Sequence, residues 1–275
     1  MRELPPVNVQ LLAKALEAFL AEELRASGLA GYLVGLSGGV DSAVSAALAA
    51  AAVGPSRVQA LAIPGPTSSP ESVRDAQAVA AAFGLELEVV DISRAAEAMA
   101  ETIGARTDRV RFGNLMARLR MVALFDRARP VPALVLGTSN KSEILLGYST
   151  LFGDAAASVQ PLGDVWKTHI FALARVLGVP ESVVAKPPTA DLWPGQTDAG
   201  ELGFDYPSVD PILYWHHEGG MGREELVASG FPPALVDKAL AAYRRNRFKW
   251  RPTVVARVSA SCINVDRILP RNPER

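Results

Sequence analysis

Short apolar runs alternate with longer amphipathic stretches along the first half of the chain. Each run is four to six residues long, as expected for parallel strands that are covered on both faces. Apolar residues at helical spacing fill the stretches between the runs. Strands that alternate with helices over short connections predict an α/β fold with a doubly wound parallel sheet. The predicted strands are 32–36, 58–63, 85–90 and 133–136, and the predicted helices are 8–27, 43–53, 69–83, 92–103 and 112–128, with C-terminal helices at 223–229 and 233–247.

A glycine-rich turn, S-G-G-V-D-S at 37–42, follows the first run and precedes an alanine-rich helix. Free N–H groups and the helix dipole make such a turn an anion site. The turn has neither the lysine of a Walker P-loop nor a G-x-G-x-x-G spacing. Because a carboxylate beside phosphate requires a cation between them, Asp41 predicts Mg²⁺, unless it only caps an ordinary turn. The stretch resembles the PP-loop of the N-type ATP pyrophosphatases, which cleave ATP to AMP and pyrophosphate.

Composition narrows the class of protein. Of the 275 residues 49% are hydrophobic, which permits a large core, and the net charge of −1 gives no electrostatic reason to expect a nucleic-acid partner. The one cysteine, Cys262, excludes an internal disulfide and fits a reducing cytoplasm. The start of the chain lacks a signal-peptide pattern, and no apolar run reaches about 18 residues. We therefore expect a cytoplasmic protein without a membrane partner.

Four further blocks are similar to the NAD⁺ synthetase family and occur in that family's order. They are GNLMARLRM at 113–121, GTSNKSE at 137–143 running on to Gly153-Asp154, DVWKT at 164–168, and PPTADLWPGQTD at 187–198. With the PP-loop, the resemblance extends from about residue 10 to about residue 258. It implies one synthetase domain at 1–258 and a tail without a recognised motif at 259–275.

The resemblance implies a Rossmann-like fold of the adenine-nucleotide α-hydrolase type and a ligase that forms a carbon–nitrogen bond. Enzymes of this family join ATP, deamido-NAD⁺ and ammonia to form NAD⁺, AMP and pyrophosphate. The nicotinate carboxylate attacks the α-phosphate, and ammonia then displaces AMP from the acyl-adenylate. Mg²⁺ as cofactor, ATP as co-substrate and a homodimer are also implied. The sequence leaves open whether ammonia is free or is delivered by a glutaminase partner.

The resemblance also implies roles for individual residues. The implied catalytic residues are Asp41, Glu143 and Lys167. Both carboxylates lie at predicted strand ends and would hold the metal, whereas Lys167 would contact the outer phosphates. The implied ATP contacts are Gly35, Leu36, Ser37, Gly38, Gly39, Val40, Asp41, Ser42, Thr138, Lys167 and Thr189. The implied contacts to deamido-NAD⁺ are Arg118, Leu151, Ser158, Phe248 and Lys249.

Several positions depart from the pattern of the ammonia-dependent branch, T-K-Y-G-D-G-G-x-D. Leu151 stands in place of its lysine, Ser158 in place of its last aspartate, and Phe248-Lys249 in place of a His-Lys pair. A T-L-Y-G-D run is similar to the synthetase domain of glutamine-dependent enzymes, which carry an N-terminal glutaminase. The alternatives are amidation of nicotinate mononucleotide, another N-type pyrophosphatase reaction, or a nucleotide-binding regulatory protein without turnover.

The segment 186–210 is rich in proline and glycine and shows no hydrophobic period. This composition predicts a long loop, which is either a lid over the nucleotide or a plain surface linker.

Overall fold

The structure of the protein, a computed structural model, describes residues 2–193, 195–250 and 253–259. Cys262 and all but the first residue of the predicted tail lie outside the described residues, so the domain boundary at 258 stays a prediction. Within the described ranges, no helix is both long and apolar enough to cross a membrane.

Four parallel strands form one sheet in the order β3-β2-β1-β4. The strands are β1 Gly31–Gly35, β2 Val58–Ala62, β3 Glu86–Val89 and β4 Ala133–Leu136. Tyr32 of β1 is in register with Val58 of β2 and with Leu134 of β4. The chain winds outward from β1 to β3 and then returns to place β4 on the other side of β1. This reversal confirms the doubly wound sheet and puts its topological switch between β1 and β4, where such sheets bind ligands.

Local signals define the helix ends as the sequence predicts. The Asn8 side chain accepts a hydrogen bond from Leu11 N at 2.9 Å, and Gly28 ends the first helix in the left-handed region at φ 69°. Ser69 caps the third helix, and Pro70 occupies its first turn. The helices are α1 Val9–Ser27, α2 Val40–Val53, α3 Pro70–Phe83, α4 Ser93–Ile103, α5 Arg109–Arg127, α6 Lys141–Leu146, α7 Lys167–Leu177, α8 Glu181–Val184, α9 Asp198–Leu202, α10 Tyr206–His217, α11 Arg223–Ala228 and α12 Pro233–Arg245.

Helices cover both faces of the sheet. Tyr32 and Val34 point to one face, where they join the core formed with α1, α2 and α7. Leu33 points to the other face and packs with Leu119 and Leu124 of α5. The alternation follows from the period of two along a strand, and burial on both faces explains why the strands read as continuous apolar runs.

The C-terminal helices form a second hydrophobic cluster beside the sheet. Buried residues of α6, α10, α11 and α12 meet there. Helix α10 starts inside the segment that the sequence predicts as a loop, and α9 lies wholly within it. The loop prediction for 186–210 is therefore wrong for these residues. Thr197 and Asp205 cap the two helices.

Candidate active site

The main pocket of the described structure lies at the topological switch of the sheet. Its volume is about 460 Å³, and it opens over the carboxyl ends of β1 and β4. All the residues predicted to contact ATP line it. They are the turn from Gly35 to Ser42, with Thr138, Lys167 and Thr189.

The glycine-rich turn has the geometry of an anion site. Ser37 N donates to Ser42 Oγ at 3.2 Å, and Ser42 Oγ donates to Gly39 O at 2.9 Å, so the turn is fixed from within. Gly38 has φ 79°, and a Cβ there would lie 2.6 Å from Ser72 O, so both conformation and space require glycine. No described side chain caps the start of α2, which leaves its N–H groups for a ligand.

Three charged residues converge beside this turn. The Lys167 ammonium contacts Asp41 Oδ2 and lies 3.1 Å from Glu143 Oε1. The side chains are 3% (Lys167), 17% (Asp41) and 16% (Glu143) exposed, so the contacts are largely shielded from water. Asp41 lies at the start of α2, Glu143 lies in α6 after β4, and Lys167 is the first residue of α7. The structure thus brings together the three residues to which the sequence assigns catalysis.

Asn140 forms hydrogen bonds with both Asp41 and Glu143, and the sequence did not predict this role. Its Nδ2 donates to Asp41 Oδ1 at 2.9 Å, and its Oδ1 accepts from Glu143 N at 3.0 Å. Glu143 Oε2 in turn accepts from Asn140 N at 3.4 Å, which completes a capping box at the start of α6. The N-x-x-E spacing of such a box is the signal that could have identified Asn140.

The buried charges shift one another's protonation. Burial raises the pKa of Glu143 to about 8, and the charges of Asp41 and Asp198 add to the rise against the attraction of Lys167. Burial alone would lower the pKa of Lys167, but Asp41 and Glu143 raise it above its ordinary value. The lysine is therefore a permanent cation, and Glu143 can exchange a proton near neutral pH.

A cluster of hydrogen-bonded polar side chains lies beside Lys167, and the sequence did not predict it. Tyr206 OH donates to Asp198 Oδ2 at 2.8 Å, and the Tyr206 ring centre lies 5.2 Å from Lys167 Nζ. Tyr148 OH and Gln196 Nε2 donate to Glu201 Oε2 at 2.6 and 2.7 Å. Asp198 Oδ1 is buried and has no hydrogen-bond partner among the described residues.

Comparison with known proteins agrees with this geometry. The family model NAD synthase matches residues 12–253. The chain belongs to the NAD synthase family. An NH3-dependent NAD⁺ synthetase from Chlorobium phaeobacteroides strain BS1 is 43% identical over 260 residues, which cover 94% of either chain. The ligase class and the use of ATP that the sequence predicts are thereby confirmed.

Two solved structures have a similar fold. A structure of NMN synthetase from Francisella tularensis superposes with a TM-score of 0.81 at 30% identity, over 91% of this chain and 99% of that one. The NH3-dependent NAD synthetase from Campylobacter jejuni superposes with a TM-score of 0.77 at 30% identity, over 92% and 100% of the two chains.

The residues predicted to contact deamido-NAD⁺ mostly lie outside this pocket. Arg118 is exposed and donates through Nε to Leu151 O at 3.3 Å. Ser158 Oγ accepts from Val135 N at 3.3 Å at the edge of the sheet, and Phe248 is exposed. Lys249 alone of the five lines the pocket, where its Nζ donates to two backbone carbonyls at 2.7 Å. Their role in binding the acceptor stays a prediction.

Arg120 provides the pocket with a cation that the sequence analysis missed. It lies two residues after Arg118 on α5, and it lines the pocket that Arg118 does not reach. Its guanidinium donates to Ile63 O and to Ser68 Oγ, both at 3.0 Å. It forms no ion pair within the described part of the chain, although the charges of Asp191 and Asp154 oppose the lowering of its pKa by burial, so its guanidinium could contact an anionic ligand in the pocket.

The PPTADL block, residues 187–192, lines the pocket and is hydrogen-bonded to the start of α3. Asp191 Oδ2 accepts hydrogen bonds from Ser72 Oγ at 2.9 Å and from Ser69 N at 3.3 Å, at the start of α3. The Arg109 guanidinium lies 5.1 Å from the ring centre of Trp193, which lines the pocket. The block therefore forms one side of the site, and its role as a lid stays a prediction.

Proposed function

We propose that the protein is an ammonia-dependent NAD⁺ synthetase, which amidates deamido-NAD⁺ with ammonia and cleaves ATP to AMP and pyrophosphate. The observation that carries the proposal is the Lys167 ammonium held between Asp41 and Glu143 beside a glycine-rich anion site. The names of the curated relatives support the choice of acceptor.

The pocket suits the transfer of an adenylyl group. In the first step the nicotinate carboxylate attacks the α-phosphorus of ATP, and pyrophosphate leaves with the electrons of the broken P–O bond. The N–H groups at the start of α2 and the Lys167 ammonium would stabilise negative charge on the phosphates. In the second step ammonia attacks the acyl carbon, AMP leaves, and one proton is released. The acyl-adenylate is thus consumed within the same pocket.

Asp41 and Glu143 would hold Mg²⁺. Their carboxylate oxygens are the ligands that Mg²⁺ prefers, and Lys167 offsets only one of the two negative charges when both are ionised. Mg²⁺, when bound, would neutralise phosphate charge. We expect Asp41→Asn to lower turnover at least a hundredfold while the chain still folds, with a lower melting temperature because the buried Lys167 ammonium loses one of its two carboxylate partners. Near wild-type turnover at physiological Mg²⁺ would remove Asp41 from the metal site.

Asp198 would bind the nitrogen donor as ammonium. Its buried Oδ1 has no partner among the described residues, and a buried carboxylate oxygen requires a donor. Burial also raises the pKa of Asp198 above its ordinary value, so this carboxylate is a stronger base than an exposed one and can accept a proton from bound ammonium. This proton transfer would convert ammonium to the nucleophilic ammonia.

The direct test measures the products of the purified chain. ATP, Mg²⁺, deamido-NAD⁺ and ammonium together should give NAD⁺, AMP and pyrophosphate in equal amounts, and omission of the acceptor should suppress pyrophosphate release. Absence of AMP in the complete mixture would refute the proposal. Glutamine in place of ammonium should be inactive with the chain alone, whereas activity restored by a co-purified glutaminase would identify the partner that the sequence leaves open. We also propose a homodimer in the cytoplasm, and light scattering in solution tests the dimer.

Nicotinate mononucleotide is a second candidate acceptor. Four of the five predicted dinucleotide contacts lie outside the pocket, and the NMN synthetase from Francisella tularensis has a similar fold at 30% identity. The two acceptors should be compared by kcat/KM under the same conditions. We expect at least a tenfold preference for deamido-NAD⁺, and the reverse preference would make the protein a mononucleotide-amidating ligase on the same ATP-binding half.

A further inference from the structure

Helix α7 starts at the catalytic lysine, and its start is held from outside the helix. Lys167 is its first residue, and Trp166, at the capping position, makes no side-chain cap. Instead, Lys167 N donates to Ser142 Oγ of α6 at 2.9 Å. Thr168 N and Thr168 Oγ1 donate to Asp210 Oδ2 of α10 at 2.9 and 2.7 Å. Two neighbouring helices therefore supply the partners that the start of a helix lacks.

Asp210 is fully buried, which sets it apart from an ordinary surface cap. Burial raises the pKa of its carboxyl, while hydrogen bonds from Ser142 and Thr168 oppose the rise. Tyr206, one turn earlier on the same helix, has its ring over the Lys167 ammonium and its hydroxyl on Asp198. Helix α10 thus interacts with Lys167 and with its neighbour. Tyr206 lies beside the Lys167 ammonium, and Asp210 accepts a hydrogen bond from the backbone N–H of Thr168.

We propose that Asp210 is a positioning residue for the ligase reaction, which fixes the first turn of α7 and thereby holds Lys167 between Asp41 and Glu143. The inference rests on the proposed function. A carboxylate at the N-terminus of a helix is favoured by the helix dipole and by the free N–H groups. Without it, the first turn of α7 can shift. A displacement of this kind is costly, because the buried ammonium must stay within contact of two carboxylates from other elements.

The test compares Asp210→Ala and Asp210→Asn with the wild type and with Asp205→Ala. Asp205 is the matched control, because it caps α10 itself through Ser208 N at 2.9 Å, is exposed and lies outside the pocket. We expect Asp210→Ala to lower kcat about a hundredfold. Asp210→Asn keeps one acceptor oxygen for Thr168 N, so it should restore about a tenth of wild-type kcat. KM for ATP and for the acceptor should stay within threefold, and Asp205→Ala should keep kcat within threefold despite a lower melting temperature.

The exchange of labelled pyrophosphate into ATP reports the adenylation step alone, and it should slow in proportion to kcat in the two Asp210 variants. A folded Asp210→Ala enzyme with kcat within threefold of the wild type would overturn the proposal. Losses of kcat that follow the melting temperature equally in the Asp210 and Asp205 variants would also overturn it, because a merely structural role predicts them.

Thr168→Val provides an independent variant if both Asp210 variants fail to fold. It removes only the 2.7 Å hydroxyl bond to Asp210 Oδ2 and preserves the side-chain shape. We expect kcat to fall about fivefold with KM unchanged, and an unchanged kcat would overturn the proposal. A wild-type chain that releases no pyrophosphate refutes the proposed function instead, so the two failures are distinguishable.

Discussion

Replacement of Lys167 by methionine tests the charged centre of the site directly. Methionine keeps an unbranched apolar side chain of similar length, so the change removes the ammonium with little loss of packing. Asp41 and Glu143 would then face each other without the cation that now contacts both. The variant separates what the lysine contributes to folding from what it contributes to turnover.

The magnitude follows from burial and protonation. Removal of one partner from a buried ion pair costs about 3–5 kcal/mol, because the remaining charge stays buried. Because the pKa of Glu143 lies at about 8, its carboxyl is already mostly protonated at pH 7, so the charge left without its partner is mainly that of Asp41. We therefore expect a loss of about 3 kcal/mol, which lowers the melting temperature by roughly 6–12 °C in a chain of this size. Loss of a cation placed at the phosphates should lower kcat by about 10²–10³-fold.

Lys141 provides a matched control. Its ammonium also contacts two carboxylates, Asp164 and Glu218, and lies 5.1 Å from the ring centre of Trp166. However, the Asp164 side chain is 92% exposed and Lys141 does not line the pocket. Since exposed ion pairs contribute at most about 1 kcal/mol, Lys141→Met should shift the melting temperature by less than about 4 °C and keep turnover within threefold.

Both variants should be compared with the wild type by thermal unfolding and by pyrophosphate release, each with and without Mg²⁺. Mg²⁺ should raise the melting temperature of Lys167→Met more than that of the wild type, because the metal then no longer competes with the ammonium. If Lys167→Met turns over at near wild-type rate, or loses no more stability than Lys141→Met, the assignment of the charged centre is wrong.

Three further predictions concern pH, the segment 195–205 and the acceptor. The pKa of Glu143 is raised from 4.5 to about 8, so its contribution to stability is complete below pH 4.5 and is lost as pH rises through 8. Glu143→Gln should flatten this decline in melting temperature. Cleavage by Glu-C protease after Glu201 should slow at least threefold with ATP plus deamido-NAD⁺, and equal rates would contradict a closing segment. Arg118→Ala should raise KM for deamido-NAD⁺ about tenfold to a hundredfold, whereas Leu151→Lys should lower it or leave it unchanged; an unaltered KM in Arg118→Ala would remove this residue from the acceptor site.

The sheet could be predicted from the sequence because its strands are buried on both faces. Their apolar runs are continuous, and β4 is predicted at its observed bounds, 133–136. The prediction for β1, 32–36, differs from Gly31–Gly35 by one residue, because Leu36 is as buried as the strand that precedes it. Apolar residues in the sequence indicate which positions are buried, and burial can continue beyond the last hydrogen-bonded residue of a strand.

The composition of the site could be predicted only in part. Asp41 and Lys167 are 126 positions apart, and no spacing rule brings them together, so resemblance to a family was required to pair them. Tyr206 and Asp198 lie in a segment whose prolines and glycines favour a loop. There the second hydrophobic cluster and the caps at Thr197 and Asp205 outweigh local propensity.

The charged centre depends on the hydrophobic cores on the two faces of the sheet and on the second hydrophobic cluster, that of the C-terminal helices. Asp41 and Glu143 extend from the carboxyl end of the sheet, whose strands are held by the cores on its two faces. Lys167 begins α7, and the start of α7 is fixed by α10 of the second cluster through Asp210. Burying an ammonium and two carboxylates is unfavourable in itself, so packing on both sides must hold the contact together. A site arranged in this way responds to the position of the C-terminal helices as well as to the sheet. Both α6 and the α9–α10 segment contribute residues to the pocket and to the second hydrophobic cluster.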